Sequence, residues 1–281
     1  MCSAGWSRYG REMATLDGHL PLGGCTLRFS DTGIADTRER PGQATAVLLH
    51  GAGADHTMFE EQAEALRSAG LRVILLDLRG HGQSRPNSAT LSPELLASDI
   101  ERLIAHLSLG EVSLVGHSLG GNLAQELVRR APERYRSLVV VDSTWNAGPL
   151  SGVERASLRL AAPILQLIPA RRLPQLMADA SAATSSARQE LSRAFGGMSK
   201  REFIAVWRAT TAFVRPDPGY RSPVPTLLVR GEGDKTGNIA RAMPAWAAAD
   251  RLQEIVVPGA GHVATLDAPE ATADALVTFL G

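Results

Sequence analysis

Seven short apolar runs, separated by longer segments of helical period, constrain this chain more than any other feature. The runs fall near 24–30, 44–50 (ATAVLLH), 71–77 (LRVILLD), 111–116 (EVSLVG), 136–142 (RSLVVVD), 225–230 (PTLLVR) and 252–257 (LQEIVV). Several are apolar throughout rather than alternating, as a strand buried on both faces requires. Helical patterns occupy about 57–69, 93–108, 119–131, 237–249 and 267–280. In the second of these, Leu95, Leu96, Ile100, Leu103, Ile104 and Leu107 share one stripe. Strand and helix alternate, so the predicted fold is α/β, a mostly parallel sheet flanked by helices.

The rhythm breaks between 146 and 222. Leucine, alanine, arginine and two spaced prolines, Pro163 and Pro169, predict several short helices that end at PDPGYRSPVP. The expected organisation is a loose N-terminal extension over 1–20, with Met13 as an alternative start, one core built from 21–145 and 223–281, and a helical cap inserted at 146–222. Open α/β sheets commonly reach about 250 residues as one unit, which suits a 281-residue chain with one insertion.

Lysine plus arginine equals aspartate plus glutamate at 29 each, so no net field draws nucleic acid or an anionic surface. The expected partner is a small-molecule substrate, without nucleic acid or membrane, and no pattern specifies an oligomeric state. No apolar run approaches the roughly 18 residues of a membrane span, and the first residues lack an apolar signal core. The lipoprotein-like box Leu22-Gly23-Gly24-Cys25 has no apolar segment before it. With only Cys2 and Cys25, neither a disulfide framework nor a metal site is expected, and the reading is a reduced, cytoplasmic protein.

The chemistry centres on Gly116-His117-Ser118-Leu119-Gly120, a G-x-S-x-G sequence between a strand and a helix. A turn that projects a serine there forces strained backbone angles and leaves no room for side chains two residues on either side. The hydroxyl then lies at a helix N-terminus, where backbone N–H groups favour negative charge. Serine needs a base to become a nucleophile, normally a histidine held by a carboxylate. In this arrangement the carboxylate and then the histidine follow the serine. Of seven histidines only His262, in PGAGH, lies beyond Ser118. Asp234, after the strand LLVR, is the leading carboxylate, with Glu232 and Asp142 as rivals. The backbone N–H of Leu119 and that of Ala52, in LHGAG, are the expected oxyanion donors, with Gly53 as the alternative to Ala52. His50 is read as shaping that turn rather than titrating.

With these residues in place, the chain resembles the α/β-hydrolase superfamily, in its cap-bearing branch of esterase-like and carbon–carbon bond hydrolases. The landmarks run in order over 25–281, the insertion excepted: LLHGAGA with Phe59, LDLRGHGQS, GHSLGG, RGEGD, and PGAGHV followed by Pro269-Glu270. The resemblance implies an eight-stranded sheet, a helical cap over the site, no cofactor, and acyl transfer through an ester on Ser118. It also implies structural roles for Asp77, Arg79 and His81. Haloalkane dehalogenases and epoxide hydrolases use aspartate where this chain has Ser118, and the proline-bearing HGxP loop is missing here, where the sequence runs His50-Gly51-Ala52-Gly53-Ala54. The activity expected is hydrolysis of an ester, lactone or thioester of a small apolar substrate. The alternatives are carbon–carbon bond hydrolysis of a diketone and a non-catalytic ligand receptor, whose usual mark is a lost triad member.

Overall fold

A computed structural model describes residues 15–35 and 43–281; Cys2, Met13 and the rest of the first 14 residues lie outside the described residues. The sheet has eight strands: β1 (Gly18–Leu22), β2 (Cys25–Asp31), β3 (Thr45–Leu49), β4 (Arg72–Asp77), β5 (Val112–His117), β6 (Tyr135–Val141), β7 (Thr226–Gly231) and β8 (Gln253–Val257). Their order is β1-β2-β4-β3-β5-β6-β7-β8. From β4 to β8 every pairing is parallel, while β1 and β2 form an antiparallel hairpin that adds to β4. Every residue of β3 and β5 is buried, in keeping with their unbroken apolar sequences and central position.

Strand β1 departs from the expected loose extension over 1–20. Its sequence, GHLPL, contains Gly and Pro and no β-branched residue, so nothing local marks it as a strand. Pairing across the two-residue turn to β2, in register from Gly18↔Phe29 to Leu22↔Cys25, forms it instead. An edge strand tolerates the missing donor of Pro21.

The helices outside the insertion are α1 (Thr32–Ala35), α2 (Glu60–Ser68), α3 (Pro93–His106) and α4 (Leu119–Arg130), followed after the insertion by α9 (Ile239–Asp250), α10 (Ala264–Asp267) and α11 (Pro269–Leu280). Between β6 and β7 the chain forms α5 (Gly152–Leu167), α6 (Leu173–Ser181), α7 (Ser185–Gly196) and α8 (Lys200–Ala212). Helix α3 illustrates how local sequence sets an element. The Ser92 hydroxyl accepts the Leu95 N–H, Pro93 occupies the first turn, and Leu96, Ile100, Leu103 and Ile104 are buried.

The same helix carries Asp99, which binds the guanidinium of Arg79 through both oxygens, at 2.6 and 2.8 Å. Both side chains are buried, and Arg79 also donates to the Gly23 carbonyl at 2.7 Å, joining the β1–β2 turn to the loop after β4. Removing one partner of such a pair leaves an uncompensated charge in the interior. Asp99→Ala is expected to cost about 3–5 kcal/mol of folding stability, measured by urea unfolding; a loss near zero would refute the pair's structural role.

Candidate active site

The strands β3, β5, β6, β7 and β8 end side by side, with Leu49 opposite Gly116, His117 opposite Val141, and Gly231 opposite Val257. Loops leaving this carboxyl edge carry every residue singled out from the sequence. Such an edge is where open α/β sheets place their ligands.

Ser118 joins β5 to α4 with φ +49° and ψ −112°, a conformation that L-residues avoid and that persists only where its surroundings fix it. Three hydrogen bonds do so. The Ser118 N–H donates to the Val141 carbonyl at 3.0 Å, and the Ser118 carbonyl accepts from Asn122 N–H at 2.9 Å and from the Ser143 hydroxyl at 2.8 Å. A side chain on Gly120 would run into the carbonyls of Leu49 and His50, so only glycine lets α4 lie this close to the end of β3. Leu119 opens α4, and its N–H has no acceptor within the helix.

The imidazole of His262 links two carboxyl-edge loops. Its Nδ1 lies 3.0 Å from Oδ2 of Asp234, and its Nε2 lies 3.1 Å from Oγ of Ser118. In the neutral ring the proton on Nδ1 donates to the carboxylate, which leaves Nε2 to accept the serine hydroxyl. Burial alone would lower the His262 pKa; the charge and hydrogen bond of Asp234 outweigh it and hold the ring above 6.5. For Asp234, burial pushes up, but His262 and the Thr236 N–H, at 2.7 Å, hold the carboxyl below 3.8.

Of the rival carboxylates, Glu232 accepts the Gly259 N–H at 3.2 Å and has no contact with the ring. Asp142 is fully buried and positioned differently. One oxygen accepts Gly231 N–H at 2.7 Å and the other Ala264 N–H at 2.9 Å, so it ties the loop bearing Asp234 to the loop bearing His262. Burial pushes its pKa up to about 7.

The loop after β3 closes as a turn, with Ala54 N–H donating to the Gly51 carbonyl at 3.2 Å and Gly53 at φ +77°. A left-handed third residue is what a type II turn requires. A side chain on Gly51 would strike the His117 ring and approach the Cβ of Ser118 to 3.5 Å, which places the turn holding Ala52 beside the serine. His50 accepts the Leu78 N–H at Nε2, 2.9 Å, and turns Nδ1 to the Gly51 carbonyl at 2.8 Å. Burial lowers its pKa, so the ring is a neutral brace for the turn. Asp77 accepts from His56 and Gln83, and Arg79 pairs with Asp99; neither meets the His262 ring.

The alpha/beta hydrolase family profile matches residues 46–275. The chain belongs to this family. Among similar proteins is a mouse (Mus musculus) sn-1-specific diacylglycerol lipase, 31% identical, with 93% of this chain and 92% of the lipase covered. A 2-(acetamidomethylene)succinate hydrolase of Mesorhizobium japonicum is 30% identical, with coverages of 87% and 91%. A thermophilic esterase from Thermogutta terrifontis superposes with a TM-score of 0.71 at 27% identity, over 91% of this chain and 93% of the esterase. The chain is therefore an α/β hydrolase with esterase, lipase and other hydrolase relatives.

Two parts of this hydrolase's site had no signal in the sequence. The Asp142 tie is one; the other is Asp267, in α10. Its carboxylate accepts the N–H groups of Gly261, Ala183 and Thr184 at 2.8–3.0 Å and the Thr184 hydroxyl at 2.9 Å. Alongside, the His262 N–H donates to the Ser181 carbonyl at 2.7 Å. The turn between α6 and α7 is thus fastened to the histidine loop.

The pairing of His262 with Asp234 has a pH signature. A histidine pKa raised above 6.5 gives stability that is complete below that pH and fades as pH rises through the native value. A lowered aspartate pKa gives stability that is present above 3.8 and lost as pH falls through the native value. Titration by NMR is expected to place the His262 ring above 6.5, with Asp234→Asn moving it down. A wild-type value below 6.5 would contradict the pairing.

Proposed function

We propose that this α/β hydrolase cleaves a carboxylic ester, lactone or thioester of a small apolar acyl group through Ser118, His262 and Asp234. The observation that carries the reading is the continuous hydrogen-bonded path from Asp234 through His262 to Ser118. In this mechanism the Ser118 oxygen attacks the carbonyl carbon as its proton passes to Nε2 of His262. Asp234 holds the Nδ1 proton and offsets the charge of the imidazolium. The oxyanion accepts the N–H groups of Leu119 and Ala52. His262 returns the proton to the leaving oxygen or sulfur, and water, deprotonated by the same ring, releases the acyl group.

The apolar preference rests on what stands over the oxyanion turn. A side chain on Gly53 would meet the rings of Phe195 and Phe203, from α7 and α8, which pack edge to face with centroids 5.7 Å apart. On this reading the insertion acts as a cap. A 2-hydroxy-6-oxononadienedioate hydrolase of Escherichia coli is also similar, at 32% identity over 51% of this chain. The dioate in that enzyme's name carries two carboxylates, which an aromatic pair does not match. This favours the ester reading over carbon–carbon bond cleavage.

Ser118→Ala is expected to abolish labelling by a fluorophosphonate probe and to lower ester turnover by roughly 10⁴-fold or more, with unchanged circular dichroism. Labelling that survives the substitution would disprove the assignment. Phe195→Ala is expected to raise kcat/KM for p-nitrophenyl butyrate relative to acetate by about tenfold. An unchanged ratio would remove Phe195 from the acyl pocket.

A further inference from the structure

Helix α5 carries the most prominent exposed apolar surface among the described residues. Of six large apolar side chains exposed among the described residues, four lie on this helix: Val153 at 76%, Leu160 at 54%, Ile164 at 56% and Leu167 at 83%. A fifth, Leu176, follows on α6. At 3.6 residues per turn, positions 153, 160, 164 and 167 fall within about 60° of arc. The opposite side of the helix buries Ala162 and Leu165. Both ends are fixed as well. Ser151 and Glu154 form a capping box, and Lys200 binds the Gln166 and Ile168 carbonyls at 2.6 Å. The stripe is therefore held outward on an anchored helix, and nothing among the described residues covers it.

The unpaired charge on α5 and just beyond its end is positive. Arg159 borders the stripe on the same helix, Arg171 and Arg172 follow its end, and all three are exposed. None of them has an ion-pair partner among the described residues. The nearby carboxylate of Glu154 is engaged by Asn238 and Arg241. Zero net charge, which spoke against an anionic surface, is an average over the chain and conceals this local excess.

We propose that α5 docks on a phospholipid surface bearing anionic head groups, with its stripe among the acyl chains and its arginines at the head groups. Apolar side chains edged by arginine are what an interfacial helix presents. No helix among the described residues is long and apolar enough to cross a membrane, so the helix lies in the surface plane. A second copy of the chain fits less well. Stripe against stripe across a two-fold axis brings the arginines of both copies to one interface, where α5 offers no unpaired carboxylate to meet them. Docking also has a consequence for the site. Ala170 and Leu173, just beyond the stripe, line a small cavity with Phe195 and Phe203, the pair over the Gly53 turn. The lipid face thus adjoins that aromatic pair. Binding to lipid does not depend on the hydrolytic reading.

The test is co-sedimentation of the full chain with vesicles of phosphatidylcholine, alone or mixed with phosphatidylglycerol. Binding is expected to be at least about tenfold tighter to the mixed vesicles, because each arginine at an anionic surface contributes about fivefold, and to weaken with salt. Leu160→Glu with Leu167→Glu is expected to abolish binding, and Arg159→Ala with Arg171→Ala to weaken it. Both variants should keep the wild-type circular dichroism and the wild-type rate on a soluble short-chain ester. Absent binding, equal binding to both vesicle types, or binding that survives the leucine substitutions in folded protein would overturn the proposal. So would a dimer, detected by light scattering, that the leucine substitutions dissociate.

Discussion

The carboxyl edge of this molecule depends on how closely the first turn of α4 lies against the end of β3. At Gly120 the helix backbone approaches the Leu49 and His50 carbonyls so nearly that one methyl group would force them apart. That approach holds Ser118 in its left-handed conformation, and it brings the Gly51–Ala54 turn beside the serine. His50, buried and neutral, braces the turn against Leu78. Strained backbone of this kind survives only where packing leaves no alternative. The fully buried β3 and β5 supply that packing, so the apolar runs of the sheet and the geometry of one serine are parts of a single arrangement.

The sequence made the central sheet legible because two-sided burial leaves an unbroken apolar signature. It also made Ser118 and His262 legible, one through a turn that only small neighbours permit and the other because no other histidine follows the serine. It put Asp234 ahead of Asp142 but gave no role to the latter, since both follow strands that end at the same edge. Their difference lies in where the oxygens point: those of Asp142 face backbone amides of two loops, whereas one oxygen of Asp234 faces the imidazole. Strand β1 was illegible for another reason. GHLPL has no intrinsic preference for a strand and becomes one only against β2. The insertion's apolar faces were illegible too: α5 turns four of its apolar side chains to solvent, and a helical period cannot say which of two faces is covered.

Carboxylates do much of the organising, each in a different role. Asp99 neutralises a buried guanidinium, Asp77 gathers the loops of His56 and Gln83, and Asp142 sets the spacing between the loops of Asp234 and His262. Each satisfies polar groups that would be costly to bury alone. Most of these partners are distant in sequence, which is why their roles emerge only from the folded chain.

Asp267 carries this organisation into the insertion. Because it holds the Ala183 and Thr184 amides together with Gly261, and because Ser181 receives the His262 amide, residues 181–184 belong mechanically to the histidine loop rather than to the helices around them. The insertion is consequently not a freely interchangeable module. A transplanted or evolving replacement must present one carbonyl and two amides at this spot, or the imidazole loses its seat, and so diversification is confined to the remainder of the segment.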